Sequence, residues 1–213
     1  MPIDLPAALV LANACAPGIA PETLLSIVSV ESGFDPLIIG VNGVRPRTIR
    51  LTSKVEAVET ARELISRGES IDLGLAQINS RNLSPMGLTI ADAFEACPNL
   101  ATAASILADG YRRAAPSQRG EQAALRTALS FYNTGNSVRG LRNGYVEKVV
   151  SAAGRLVPAI AVAQPAIDPA PNPPSAQISS AQVTPPVWDV FARVQARNSG
   201  FVFSFSPNSG ASQ

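Results

Sequence analysis

The strongest constraint on this chain is a change of composition near residue 157. Nine of its 18 prolines lie at or after Pro158, and Ala159 to Pro186 is rich in Pro, Ala, Ser and Gln, with Asp168 as its one charge. Such a stretch has too little apolar surface to order itself and reads as an extended linker. A packed core is thus expected over residues 1–157, a linker over 158–186 and a tail over 187–213. The tail gathers Trp188, Phe191, Phe201, Phe203 and Phe205, and Phe201 to Phe205 alternates at strand spacing. Two readings of it stay open. It docks a partner, by adding a strand to a sheet edge, or it folds back on its own domain or stays disordered.

Residues 1–157 read as mainly α. Alanine, the best helix former, is abundant there. Leu5 to Ala16 has the look of a signal sequence, but the residues before it carry Asp4 and no lysine or arginine, so it is read as the first helix of the mature domain. Pro21 suits a first helical position. Leu24, Leu25, Ile27, Val28 and Glu31 follow at helical spacing, with Pro36 expected to stop the run. Ser53 and Glu56 fit a capping box, and Gly68 supplies a C-terminal stop. Further helices are expected over 100–113, 121–132 and 145–156. Strand signal is confined to 44–51. No apolar run reaches the roughly 18–20 residues needed to span a bilayer.

Composition excludes several kinds of chemistry. The chain has 213 residues, a net charge of +1 and no histidine. That rules out Ser-His-Asp and Cys-His triads, histidine bases and His-ligated zinc within it. The near-neutral charge gives no electrostatic reason to expect nucleic acid or an anionic membrane. Cys15 and Cys97 are either two buried thiols or one disulfide.

Four short segments stand out: Glu31-Ser32-Gly33-Phe34-Asp35-Pro36, Leu73-Gly74-Leu75-Ala76-Gln77-Ile78-Asn79, Phe131-Tyr132-Asn133-Thr134-Gly135, and Gly144-Tyr145-Val146. Each is weak alone. In this order and spacing they resemble the lysozyme-like domain of the lytic transglycosylases that cut peptidoglycan. Val30 to Pro36 with Ile39-Gly40-Val41, Ala61 to Gly68 leading into Leu73 to Asn79, and Phe94 to Leu100 are similar, more closely, to the VirB1 subfamily attached to type IV secretion systems. The resemblance covers residues 5–153. Trp188 to Phe191 is similar to a short motif near the C-terminus of some VirB1-like proteins.

The resemblance implies a lysozyme-like helical fold and cleavage of the β-1,4 bond between N-acetylmuramic acid (MurNAc) and N-acetylglucosamine (GlcNAc), leaving a 1,6-anhydro end. It assigns the catalytic acid to Glu31. It assigns substrate contacts to Gln77, Tyr132, Asn133 and Tyr145, with the Tyr132 hydroxyl near Glu31 or the muramyl N-acetyl group. Ser32 belongs to the same set, with a local hydrogen bond expected of it. Gly74 would let the backbone approach closely, and Ala76 stands where relatives often carry methionine, making a smaller cleft contact. No metal or cofactor is implied. Glycosidases of the ordinary kinds use two carboxylates. The candidates for a second one are Asp35 and Asp72, and the family works without it. The alternatives are a lysozyme-type hydrolase and a wall-binding assembly factor that does not cut.

The implied compartment is the oxidising periplasm, which favours a Cys15–Cys97 disulfide. The implied partners are peptidoglycan glycan strands and, through the tail, secretion-system components. An uncharged sugar backbone would be gripped by amides and aromatic rings, so the cleft needs no basic patch.

Overall fold

The computed structural model describes residues 1–163. The tail and all but the first residues of the expected linker lie outside them. The described chain is helical with one small sheet.

Helix α1 (Leu5–Cys15) begins where the Asp4 carboxylate accepts the Ala7 N–H at 2.8 Å, an N-cap bond that fixes the entry of the chain. Helix α2 (Pro21–Glu31) starts on Pro21 and carries the centre of the core. Leu24, Leu25 and Ile27 are fully buried, each worth about 1.5–3 kcal/mol of hydrophobic stabilisation. The helix ends at Glu31, earlier than a stop at Pro36 requires. Gly33 and Phe34 adopt left-handed backbone conformations, with φ of 61° and 69°, and turn the chain away.

Four short strands follow. β1 (Ile38–Val41), β2 (Arg47–Arg50), β3 (Ile71–Leu73) and β4 (Ile78–Asn79) form an antiparallel sheet in the order β2-β1-β3-β4. The strand signal over 44–51 corresponds to β2 alone. The other three strands leave no readable period, because β1 is buried at both Ile38 and Ile39 and β3 and β4 have only three and two residues.

Helix α3 (Lys54–Ser66) is capped by Ser53 Oγ, which accepts the Glu56 N–H at 3.2 Å. The Glu56 carboxylate reaches Thr52, one residue further out than in a capping box. The helix closes in a Schellman arrangement, with Gly68 N–H on Ile65 O and Glu69 N–H on Leu64 O.

After the short α4 (Ser80–Leu83), the long α5 (Ala96–Ala114) packs on α6 (Glu121–Thr134). The short α7 (Arg139–Arg142) leads into α8 (Tyr145–Ala163), which packs along α2. Cys15 and Cys97 are joined by a disulfide that ties the end of α1 to the start of α5.

Helix α8 runs beyond the end expected at residue 156. Pro158 sits inside it, at a cost of about 3 kcal/mol. Ile160, 1% exposed, anchors the turn beyond the proline in the core and offsets that cost. The first residues of the expected linker are therefore helix. Among the described residues no helix is long and apolar enough to cross a membrane.

Candidate active site

A cavity of about 610 Å³ opens between the sheet and the α6–α7 region, lined by Glu31, Asn42, Asp72, Gln77, Asn79, Arg81, Ile106, Tyr132, Asn133 and Arg139 among others. A second groove of about 530 Å³ shares Asn82, Ile106, Tyr132 and Gly135 with it and extends past Met86 and Phe131. Through these shared residues the two join as one cleft.

Glu31 is the last residue of α2, half-buried at the cavity wall. Its Oε1 accepts the Tyr145 hydroxyl at 2.7 Å, and its Oε2 has no hydrogen bond to any described residue. Burial pushes the carboxyl from its ordinary 4.5 up to about 7. The Tyr145 bond pulls the other way, and the nearby charge of Asp72 adds to the rise. The carbonyl end of α2 acts in the same direction as burial, since it disfavours a negative charge. Tyr145 itself is held well above the usual phenol range, first by burial and then by the Glu31 charge, so it stays a donor.

Asp72 projects from β3 into the same cavity. Its two oxygens accept Asn42 Nδ2 at 2.8 Å and Asn79 Nδ2 at 2.7 Å. Burial raises its pKa against these bonds. Asp35, the other candidate carboxylate, lies elsewhere. It is 4% exposed, accepts Arg50 Nη1 at 2.9 Å and caps the Leu37 N–H at 3.1 Å, so it holds the turn after α2 against β2.

Gln77 lines the cavity from the β3–β4 turn with φ of 50°, a left-handed conformation that costs a non-glycine residue about 1–3 kcal/mol. Its Nε2 holds Gly74 O at 2.9 Å and Ile38 O at 3.3 Å, which fixes the amide across the sheet. Gly40 makes room for it, since a Cβ there would sit 2.7 Å from Gln77 Oε1.

The other expected residues take different places around the cavity. Tyr132 lines the cavity, but its hydroxyl donates to Ala76 O at 2.7 Å, away from Glu31. Tyr145 is 6% exposed and stands behind Glu31, outside the cavity lining. Ser32 is also outside it: its side chain is buried and donates to Val28 O at 3.2 Å. Asn133 is exposed at the cavity edge, where its Oδ1 accepts Asn143 Nδ2 at 2.9 Å. Ala76 is fully buried and makes no cleft contact. Gly74, with φ of 74°, is required by close packing inside the protein, since a Cβ would meet Ala93 O at 2.2 Å and Asn99 Nδ2 at 2.6 Å.

Asn99 is the residue that sequence reasoning missed. It is fully buried on α5. Its Oδ1 accepts the Ala76 N–H at 2.8 Å, and its Nδ2 donates to Leu73 O at 2.9 Å and Ala93 O at 2.7 Å. One amide thus clamps the whole turn that carries Gln77 and receives Tyr132, two residues from the Cys97 disulfide. The only signal in the sequence was its position in the Phe94 to Leu100 segment.

A carboxyl kept protonated at a cavity wall, with a tyrosine behind it, can serve as a general acid. The chain belongs to the transglycosylase SLT domain family, whose model matches residues 8–148. It is a VirB1-like member of that family. Protein virB1 of Agrobacterium tumefaciens (strain 15955) is 41% identical over 88% of this chain and 73% of its own length. The type IV secretion system protein virB1 of Brucella suis biovar 1 (strain 1330) is 46% identical over 72% of this chain and 67% of its own. No solved structure gives a significant match.

Proposed function

We propose that this protein is a lytic transglycosylase that cleaves the MurNAc-β-1,4-GlcNAc bond of peptidoglycan, leaves 1,6-anhydroMurNAc ends, and opens the wall for assembly of a type IV secretion system. The observation that carries the reading is Glu31, a cavity carboxyl that holds its proton up to about pH 7.

Glu31 gives its proton to the bridging oxygen as the C1–O bond breaks and positive charge develops on the muramyl ring. The resulting carboxylate takes the proton of the C6 hydroxyl while O6 bonds to C1. Glu31 ends the cycle protonated, and no water is consumed. Tyr145 steadies the carboxylate through Oε1, which leaves Oε2 for the proton. Gln77, Tyr132 and Asn133 line the cavity and contact the sugars, Tyr145 positions Glu31, and Ser32 stabilises the end of α2.

Mass spectrometry of muropeptides from purified sacculi tests this. The protein is expected to release anhydro products and Glu31→Gln to release none. Reducing MurNAc ends in their place would establish a hydrolase. That second reading is favoured by one observation, a second carboxylate, Asp72, on the same cavity.

The printed names of the relatives support the secretion-system context. Action on peptidoglycan puts the protein outside the cytoplasm, and the periplasm is the compartment proposed; the disulfide suits its oxidising chemistry. The proposed organisation is a catalytic domain expected over 1–157 and extended by α8 to Ala163, a linker over the remainder of 158–186 and an interaction tail over 187–213 that docks secretion-system components. If deletion of residues 164–213, which leaves α8 whole, leaves pull-down of those components unchanged, the tail has no such role.

A further inference from the structure

An uncharged sugar backbone needs no basic groups in the cleft, yet the structure brings two arginines to it. Arg81, on α4, and Arg139, on α7, both line the cavity that holds Glu31, and both are exposed. Neither guanidinium makes an ion pair or a side-chain hydrogen bond with any described residue. Other arginines find carboxylates, as Arg50 does with Asp35 and Arg47 with Glu69.

The backbones at these two positions are pinned. Arg81 N–H donates to Asn79 Oδ1 at 3.1 Å and Arg139 N–H to Asn136 Oδ1 at 3.0 Å. The Gly140 N–H beside it donates to Ser130 Oγ at 2.8 Å. The carboxylates of the cavity are engaged by other groups, Asp72 by two asparagines and Glu31 by Tyr145. Two guanidinium forks, on pinned backbones and without an ionic partner among the described residues, therefore border the cleft, and their chemistry suits bidentate carboxylates.

We infer that Arg81 and Arg139 bind the free carboxylates of the peptides that hang from the muramyl sugars, so that the protein selects peptide-bearing strands over bare glycan. This rests on the peptidoglycan reading above. The sugar backbone is uncharged, whereas each peptide carries several carboxylates, so the two arginines would read a feature of the substrate that the amide and aromatic groups of the cleft cannot.

The test uses the full chain carrying Glu31→Gln, so that strands are held uncut. Its Kd is measured for soluble peptide-bearing glycan strands and for the same strands with their carboxylates converted to methylamides. Exposed charge pairs are weak singly, so both arginines are changed together. Adding Arg81→Gln and Arg139→Gln is expected to raise Kd for the native strands about tenfold and to leave Kd for the methylamide strands unchanged. Equal Kd with and without the arginines on native strands overturns the inference. An equal loss on both strand types also overturns it, since that reports a damaged cleft. The binding measurement needs no turnover. Wild-type protein that released no anhydro product would overturn the proposed function and leave this inference to the Kd values.

Discussion

The Tyr145 hydroxyl donates to Glu31 Oε1 at 2.7 Å, joining the first residue of α8 to the last residue of α2, 114 positions earlier in the chain. The bond favours the carboxylate, while burial favours the acid and wins. Asp72, across the cavity, adds to the rise. The protonation of Glu31 is thus set by three elements that meet only in the folded chain.

The pH dependence of activity should report this balance. kcat/KM is expected to fall as pH rises through about 7, where free Glu31 loses its proton. Asp72→Asn removes a charge that raises the Glu31 pKa, so the limb moves to lower pH. Tyr145→Phe removes the bond that lowers it, so the limb moves to higher pH, with kcat down roughly tenfold because the carboxylate formed in the first step loses its partner. Shifts in the same direction for both variants would contradict the assignment.

Stability should depend on pH with a defined sign. The folded carboxyl titrates at about 7 against an ordinary 4.5, so the folded state binds the proton more tightly. Wild-type protein therefore loses stability from this group as pH rises from 4.5 to 7, by roughly 3 kcal/mol in total. Glu31→Gln lacks the term. Urea unfolding is expected to give variant and wild type similar stabilities near pH 4 and a more stable variant at pH 8.

Asn99 supports the cleft without touching it. Asn99→Ala leaves the Ala76 N–H and the carbonyls of Leu73 and Ala93 without their buried partner. The expected loss is about 3 kcal/mol by denaturant unfolding, with weaker substrate binding as the Gln77 turn loosens. Asn99→Asp keeps the acceptor but sets a carboxylate against two carbonyl oxygens, and should be at least as damaging.

The disulfide closes a separation of 82 residues. In the chain-entropy model that stabilises by about 4.5 kcal/mol. Cys15→Ser with Cys97→Ser should lower the unfolding free energy by up to that amount, and denatured, unreduced wild-type protein should show no reactive thiols.

The sequence by itself determined the helical class and the identity of the proposed acid. The class rests on local signals, the apolar spacing along α2 and the cap at Ser53; the acid rests on the resemblance carried by the order of the four segments. It did not show the sheet, because strands of two to four residues carry no period, nor the helical turn past Pro158, which depends on the burial of Ile160.

Only the tertiary structure decided which residues meet. Tyr132 and Tyr145 look alike in sequence, yet one bonds the Ala76 carbonyl and the other Glu31. Asp35 and Asp72 are both aspartates beside a turn, yet Arg50 occupies the first and the cleft receives the second. The physical reason is that burial and pairing, which set a side chain's charge and reach, come from groups distant in the chain. The proline-rich break at 157 bounded where the core can form, and packing within that bound set the chemistry of the cleft.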